Sequence, residues 1–568
     1  MVVRYVVSPR GGRRAHSDIA SALRAAAARG RAAEIEIAPG RYEEFLDVRG
    51  DVRLVAAEGP GSVVVGLPRG PVLLAAGSVT LHGLTLAGRE SVVAGCHAGT
   101  LTLEHTEVWA HGGVGVHAPP GTSVTLRDSV VAHGRTLFTG SVGLVERCRF
   151  TDAADNAVAV IEGAQVSVLG SRIEGSRIHG LRVSDARAEV VGCELTDTGQ
   201  AALMADARAR LTVADCAITS VHGEGIMFIE QSRGSVDTTT VTGARHGIAA
   251  ASGADPMVRG CVLTNCRDTG INVQTAARGR FEDCRILDAG NVAVFVSDGG
   301  TPEVHDCHIS GGNVGVAVTE GSRGRFSGLV VEDLTNSALR VWTGSEGLFE
   351  DVRVDRCTLG LDTKGDGGTT AGLTDVVFHD FETAVTALGQ SRVTLKGVTA
   401  ERGGVGFFAG EEAQLLVHGC EVASVSIGGA GVSGRAKLSA RNLTVNGSEG
   451  TGLVASESGY LDVGDSDFNG CAGTGATFAD ESGGRLVACS VDGTRGPAVL
   501  HNGRVELVSL RTTRPVVRKT VRTVEQTPTI INNYAGPVIN GPVHNSQFAW
   551  NNDTATQNQT TEDGPAHE

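Results

Sequence analysis

Residues 261–318 contain three copies of one pattern: CVLTNCRDTGINVQ (261–274), FEDCRILDAGNVAVFV (281–296) and EVHDCHISGGNVGVAV (303–318). In each, a small residue followed by x-apolar (Cys261, Cys284, Cys307) is followed about nine residues later by a small residue and then apolar-x-apolar. The apolar pairs are Ile271/Val273, Val294/Val296 and Val316/Val318. The copies lie 23 residues apart, a period that marks a solenoid whose single unit cannot bury its own apolar face.

Extended outward, the Cys284 position falls on Leu84, Thr106, Ser129, Cys148, Ser171, Cys193, Cys216 and Thr239 before the central three, and on Leu329, Val352, Val376, Val398, Cys420, Leu443, Ser466, Cys489 and Val508 after them. Most steps are 22 or 23 residues, with two of 19 and one of 24, so the register predicts about 20 coils. Eight of the 12 cysteines occupy this column, and Cys266, Cys357 and Cys471 share a position five residues later. An inward column of small residues stacks on itself, so the cysteines read as small apolar core residues rather than zinc ligands or nucleophiles. With 79 glycines and 4% aromatics, the composition suits short strands broken by tight turns.

Residues 17–29 (SDIASALRAAAAR) predict the one helix, capped by Ser17, stopped by Gly30, with Ile19, Ala22, Leu23 and Ala26 on its apolar stripe. A solenoid has to close its first coil, and an amphipathic helix can do so. The organisation read from the chain is a cap over 1–66, a parallel β-helix over 67–510, a basic linker over 511–526 and an Asn/Gln-rich tail over 527–568.

These units, together with the opening YVVSPRGG, the helix and EIEIAPGRYEE, resemble right-handed parallel β-helix proteins of the pectate-lyase-like superfamily. The resemblance implies an all-β, single-stranded right-handed parallel β-helix of 22–23-residue repeats with an N-terminal capping helix and a flexible C-terminal tail. It leaves function open, because that scaffold carries lyases, hydrolases, epimerases, esterases and non-enzymes.

The middle residue of each apolar-x-apolar pair forms an outward row: Arg182, Met204, Met227, Ala249, Asn272, Phe295, Ala317, Arg340, Asp362, Thr386, Phe408, Ser433, Val454 and Thr477. With a single acid, this row does not support two-carboxylate glycoside hydrolysis. Its members Met204, Met227, Phe295, Phe408 and Val454 predict an exposed apolar patch that binds a protein partner. The weaker catalytic candidates are Asp362, Lys364 and Asp366, read as an irregular coil, LDTKGDGG, where acids flank a lysine. Histidines before glycine (His111, His133, His179, His222, His246) read as turn residues. No cofactor or metal is expected.

In the tail, 11 of the 35 residues from Gln526 to Thr560 are Asn or Gln, interspersed with apolar residues, as in cross-β segments. Asn533, Tyr534, Gly536, Val538, Asn540, Gly541, Val543, Asn545, Gln547, Phe548 and Trp550 resemble the short amyloid-signalling motifs of bacterial receptors and effectors, which implies recruitment of a partner or homotypic assembly. Pro537 and Pro542 depart from that pattern, since proline removes a ladder donor.

A net charge of -15 argues against general polyanion binding, and no nucleic-acid partner is expected; no apolar run reaches membrane-spanning length. Met1–Gly12 lacks the apolar core of a signal peptide, so a cytoplasmic location is expected. The functional expectation is a non-enzymatic scaffold or sensor that binds a protein or ligand on its outer face and recruits a partner through residues 527–552. A polysaccharide lyase, hydrolase or epimerase acting on a uronate-type glycan is the alternative, and a phage fibre or spike a further one.

Overall fold

The computed structural model describes residues 2–9, 15–89 and 91–518. The tail motif at 533–550 lies outside them. The described chain is an all-β, parallel right-handed solenoid of about 21 turns. In its regular part each turn contributes three strands, and each strand pairs in parallel with the strand three places later, as Gln165–Leu169 does with Arg187–Val191. Three parallel sheets result. The first holds five-residue strands such as Arg187–Val191, the second three-residue strands such as Glu194–Thr196, and the third strands such as Leu203–Asp206. In the middle of the chain the second and third strands merge into single elements, such as Arg285–Val296 and Arg353–Lys364.

The corner between the first and second sheets is a single left-handed residue directly before the cysteine column. Asp128, Asp215, Asp283, Asp306, Asp351 and Asp375 stand there with φ between 48° and 54°. Left-handed backbone suits Gly, Asp and Asn best, which explains the Asp/Gly residue preceding the column.

The column itself does more than fill space. The backbone N–H of Cys148 donates to Ser171 Oγ (3.0 Å), that of Ser171 to Cys193 Sγ (3.4 Å), and that of Cys284 to Cys307 Sγ (3.4 Å). Each thiol in turn donates to a carbonyl two residues back, as Cys307 Sγ does to His305 O (3.2 Å). The small-apolar reading of the column is therefore corrected. Cys, Ser and Thr recur because their heteroatom satisfies a buried backbone donor at the corner, which would otherwise cost a lost hydrogen bond. All 12 cysteines are free and buried.

Helix α1 (Ile19–Arg29) packs Ile19, Ala22, Leu23 and Ala26 against the first turn. Its cap is Asp18, one residue later than expected: Asp18 Oδ1 accepts from Ser21 N–H (2.7 Å), and Ser17 instead donates its hydroxyl to Asp18. The Glu44 carboxylate takes the N–H groups of Ile19 and Ala20. Gly30 ends the helix in the left-handed region, as read from the sequence.

Coil pairing reaches beyond the expected 67–510 at both ends. Val3–Val7 pairs with Ala33–Ile37, and Val516–Arg518 pairs with Val499–His501, so part of the expected linker is a strand of the third sheet. Among the described residues no helix is long and apolar enough to cross a membrane.

Candidate functional site

The outward row of the third sheet is in continuous register. Arg182 pairs with Met204, Met204 with Met227, Met227 with Ala249, and so on through Asn272, Phe295, Ala317, Arg340, Asp362, Thr386 and Phe408. At the next coil the row falls on Gly431 rather than the expected Ser433, and then on Val454.

The expected exposed apolar patch is corrected by burial. Met204 and Phe295 are each only 8% exposed, and Met227, Phe408 and Val454 are half-buried. Every side chain of the row is stacked between neighbours one strand spacing above and below, which shields it. The sequence placed these residues on the right row but overstated their exposure.

The charged members of this row are consumed in pairs. Arg182 Nε meets Asp206 Oδ2 at 2.7 Å. Arg340 Nε meets Asp362 Oδ2 at 3.1 Å, with the two residues 5% and 7% exposed. The Arg340 guanidinium also donates to Ser337 Oγ (2.9 Å) and lies over the Trp342 ring, 4.3 Å from its centroid. Burial pushes the Asp362 carboxyl up, against the pull of Arg340.

The expected irregular coil at LDTKGDGG is instead strand through Lys364, because Arg353–Lys364 continues the third-sheet ladder and places Lys364 opposite Trp342. Asp362 and Lys364 thus lie two residues apart on one strand, whereas Asp366 follows it in an exposed turn. Bound to Arg340, Asp362 is not a free base. Among the described residues no group of His, Cys, Asp and Glu is arranged to hold a metal ion.

All 12 cysteines are buried away from solvent. Burial pushes the Cys148 thiol up to about 11 and those of Cys266 and Cys357 up to about 12, so at these three positions the reactive thiolate is suppressed.

One constellation was missed in the sequence. On the second sheet, Glu332, Asp355, His379 and Glu401 stand in consecutive register. His308 Nε2 lies 2.8 Å from Glu332, and His379 Nε2 lies 3.6 Å from Glu401. Arg353 and Arg356 close onto Asp355 and Glu332, each at 3.0 Å. The available signal was four titratable residues at 22–24-residue steps, each three positions after the column residues Leu329, Val352, Val376 and Val398. Its carboxylates are held by arginines, so the ladder ties coils together. Of the turn histidines, His111 and His133 stack their rings at 4.8 Å, whereas His246 is buried within a third-sheet strand.

The family description "Right handed beta helix region" matches residues 92–218, 200–359 and 359–510. No curated protein matches the chain. Among solved structures, the Dettilon tailspike protein is 11% identical over 58% of this chain and 66% of its own, with a TM-score of 0.30. A PL6 family alginate lyase is 8% identical over 91% of this chain and 98% of its own, with a TM-score of 0.28. Pectate lyase Pel9A is 10% identical over 68% of this chain and 79% of its own, with a TM-score of 0.20.

Proposed function

Since the chain belongs to the family of right-handed beta helix regions, we propose that it is a non-catalytic scaffold whose third-sheet face binds an extended, weakly charged stretch of a partner protein. The observation that carries this reading is the composition of the outward row. From Met204 to Phe408 it offers apolar and small side chains, and its charges are spent within the face, Arg340 on Asp362 and, beside the row, Arg182 on Asp206. A centre for glycan cleavage needs an acid and a base free to move protons. A row whose own charges are already paired instead favours a partner that brings apolar anchors and little net charge.

A photo-crosslinking residue placed at Met227 and, separately, at Phe408 tests this. The same partner captured at both positions, and not from Leu348 on the first sheet, supports the reading. Crosslinking to nothing from either position counts against it.

A second reading, a polysaccharide lyase, hydrolase or epimerase, is favoured by one observation: the burial-raised carboxyl of Asp362 beside Lys364. Release of unsaturated uronates from a polyuronide panel, abolished by Asp362→Ala in a folded protein, would establish that reading and overturn the first.

The proposal extends to residues 527–552 on their composition alone, as a segment that recruits a partner or assembles with its own kind. A peptide of residues 524–560 that forms thioflavin-positive fibres supports this. A peptide that stays monomeric, with no loss of partner on deletion of the segment, removes it.

A further inference from the structure

We propose that Asn502–Gly503 is a self-modifying site: the Gly503 nitrogen attacks the Asn502 side-chain amide, and the aspartate or isoaspartate that results unties the last described coil. Asparagine is a thermally labile residue, and a following glycine leaves the attacking nitrogen least hindered. Among the described residues three asparagines precede glycine: Asn446, Asn469 and Asn502. At the first two the geometry opposes attack. The Gly447 N–H donates to Asn469 O and the Gly470 N–H to Asp492 O, both at 2.9 Å, so each nitrogen is held in the ladder between coils. Their side chains are held as well, Asn446 Nδ2 by Glu421 (3.0 Å) and Asn469 Nδ2 by Asn446 Oδ1 (3.3 Å).

At the third, the same nitrogen meets a base. Asn502 and Gly503 lie in the turn between Val499–His501 and Val505–Val508, and His501 Nδ1 accepts the Gly503 N–H at 3.1 Å. That bond puts the ring proton of the neutral imidazole on Nε2 and aims the Nδ1 lone pair at the proton to be removed. Burial, and the guanidinium of Arg518 opposite His501 in the ladder, lower the proton affinity of the ring and keep it neutral. Asn502 Oδ1, the atom that gains negative charge on attack, accepts the Arg504 N–H at 2.9 Å. Gly503 lies at φ 99°, and a Cβ there would stand 2.7 Å from Arg518 Nη2, so the site admits glycine alone.

In the reaction a bond forms between Gly503 N and Asn502 Cγ, and the Cγ–Nδ2 bond breaks. The Gly503 proton passes through His501 to the departing ammonia, which leaves a five-membered succinimide. Water then opens either carbonyl–nitrogen bond of that ring, giving aspartate or isoaspartate at 502 with the chain unbroken. The consequence follows from what the amide does now. Asn502 Nδ2 donates to Asp480 O and Ser482 O, each at 2.8 Å, and so ties the last described coil to the one before it. A carboxylate has no proton to donate and sets its own oxygens against those two carbonyls. Among the described residues the strands Val505–Val508, Arg511–Thr512 and Val516–Arg518 pair on one side only, so this coil is the one that loosens.

The test is incubation of the full chain at neutral pH and physiological temperature, with peptide mapping by electron-transfer fragmentation, which separates aspartate from isoaspartate. Asn502 is expected to convert at least about fivefold faster than Asn446 and Asn469, and His501→Gln to slow that conversion at least about fivefold. A smaller difference in either comparison would overturn the chemistry. The comparison of the three asparagines needs no variant, and superimposable thermal melts of His501→Gln and wild type exclude a loosened fold as the cause of its effect. Hydrogen exchange then reads the consequence: residues 505–518 should exchange at least about threefold faster in converted protein, isolated by ion exchange, and in Asn502→Asp. Unchanged exchange in both would overturn the untying of the coil.

Discussion

Substitution of Gly347 by alanine sets two effects of opposite sign against each other. Gly347 occupies an inward position of the first sheet, two residues before Phe349, and the preceding coil repeats the arrangement as Gly324 and Phe326. The two phenyl rings stack with centroids 5.0 Å apart and planes 14° apart, both almost wholly buried. A Cβ at Gly347 would stand 2.7 Å from Val341 Cγ2 and 2.8 Å from Phe349 Cε2, closer than real Cβ contacts allow. The Phe349 ring cannot swing away, because Phe326 fills the space beneath it. Overpacking of this kind costs about 1–3 kcal/mol, whereas the backbone-entropy gain of replacing glycine in a strand is about 0.5–1 kcal/mol. The expected net effect is a loss of roughly 0.5–2 kcal/mol. One coil further on, the same two positions hold Ala371 and Leu373, so the protein already contains the compensated pair. Gly347→Ala/Phe349→Leu copies that pair, and the cycle should show favourable coupling of at least about 0.5 kcal/mol. Denaturant unfolding gives the energies. Hydrogen exchange should place the weakening in the coils flanking residues 341–349, since solenoid stability is a sum of neighbour terms. A Gly347→Ala protein more stable than wild type, or a double variant with no coupling, would refute the wedge argument.

Three further outcomes follow from other parts of the solenoid. Ala488 holds the left-handed corner position at φ 53° where most coils place Asp or Gly, and it is exposed, so Ala488→Gly should raise stability by about 0.5–1 kcal/mol with an unchanged denaturant slope. Asp362→Ala strands a buried guanidinium and should cost about 3–5 kcal/mol, whereas Arg340→Met/Asp362→Leu should lie near wild type; equal losses in both would show that the pair itself holds the face together. Burial lowers the affinity of His246 for a proton, although Asp268 and Glu224 pull the other way and Arg245 adds to the lowering. Above an unfolded value of about 6.5 His246 is neutral in both states, and as pH falls below it only the unfolded chain gains the proton, so stability drops by at most about 1.4 kcal/mol per pH unit. The wild-type minus His246→Gln difference in unfolding free energy, measured from pH 7.5 to 5, should shrink on acidification; a flat difference would exclude the effect.

The fold was legible in the sequence because a solenoid writes the same demand into every coil. The inward pairs, the small column and the Asp/Gly corner all recur at one period, and each recurrence reflects a separate physical requirement. What the period could not reveal is what one coil does for the next. Cys148, Cys193 and Cys284 read as small and apolar because the backbone N–H groups bonded at Cys193 Sγ and Cys307 Sγ belong to the preceding coil. The chemistry of the column appears only when residues 22 or 23 positions apart are read as one hydrogen-bonded unit.

The same rule decides the candidate face. Read along the chain, Asp362, Lys364 and Asp366 form an acid–lysine–acid cluster with catalytic character. Read across the coils, the relevant neighbour of Asp362 is Arg340, in the same column one coil earlier, and the carboxylate is spent on it. An arginine ladder gives the converse case. Arg187, Arg210 and Arg233 look scattered along the chain, yet across the coils they stand in direct register as a stack of like charge, with Asp255 opposite Arg233 at its end. In a parallel solenoid the strand spacing, about 4.8 Å, is shorter than the roughly 6.6 Å between same-face residues of one strand, so charge pairing between coils outranks pairing along the chain. Functional charge in this protein is therefore the charge left over after column neighbours have been cancelled.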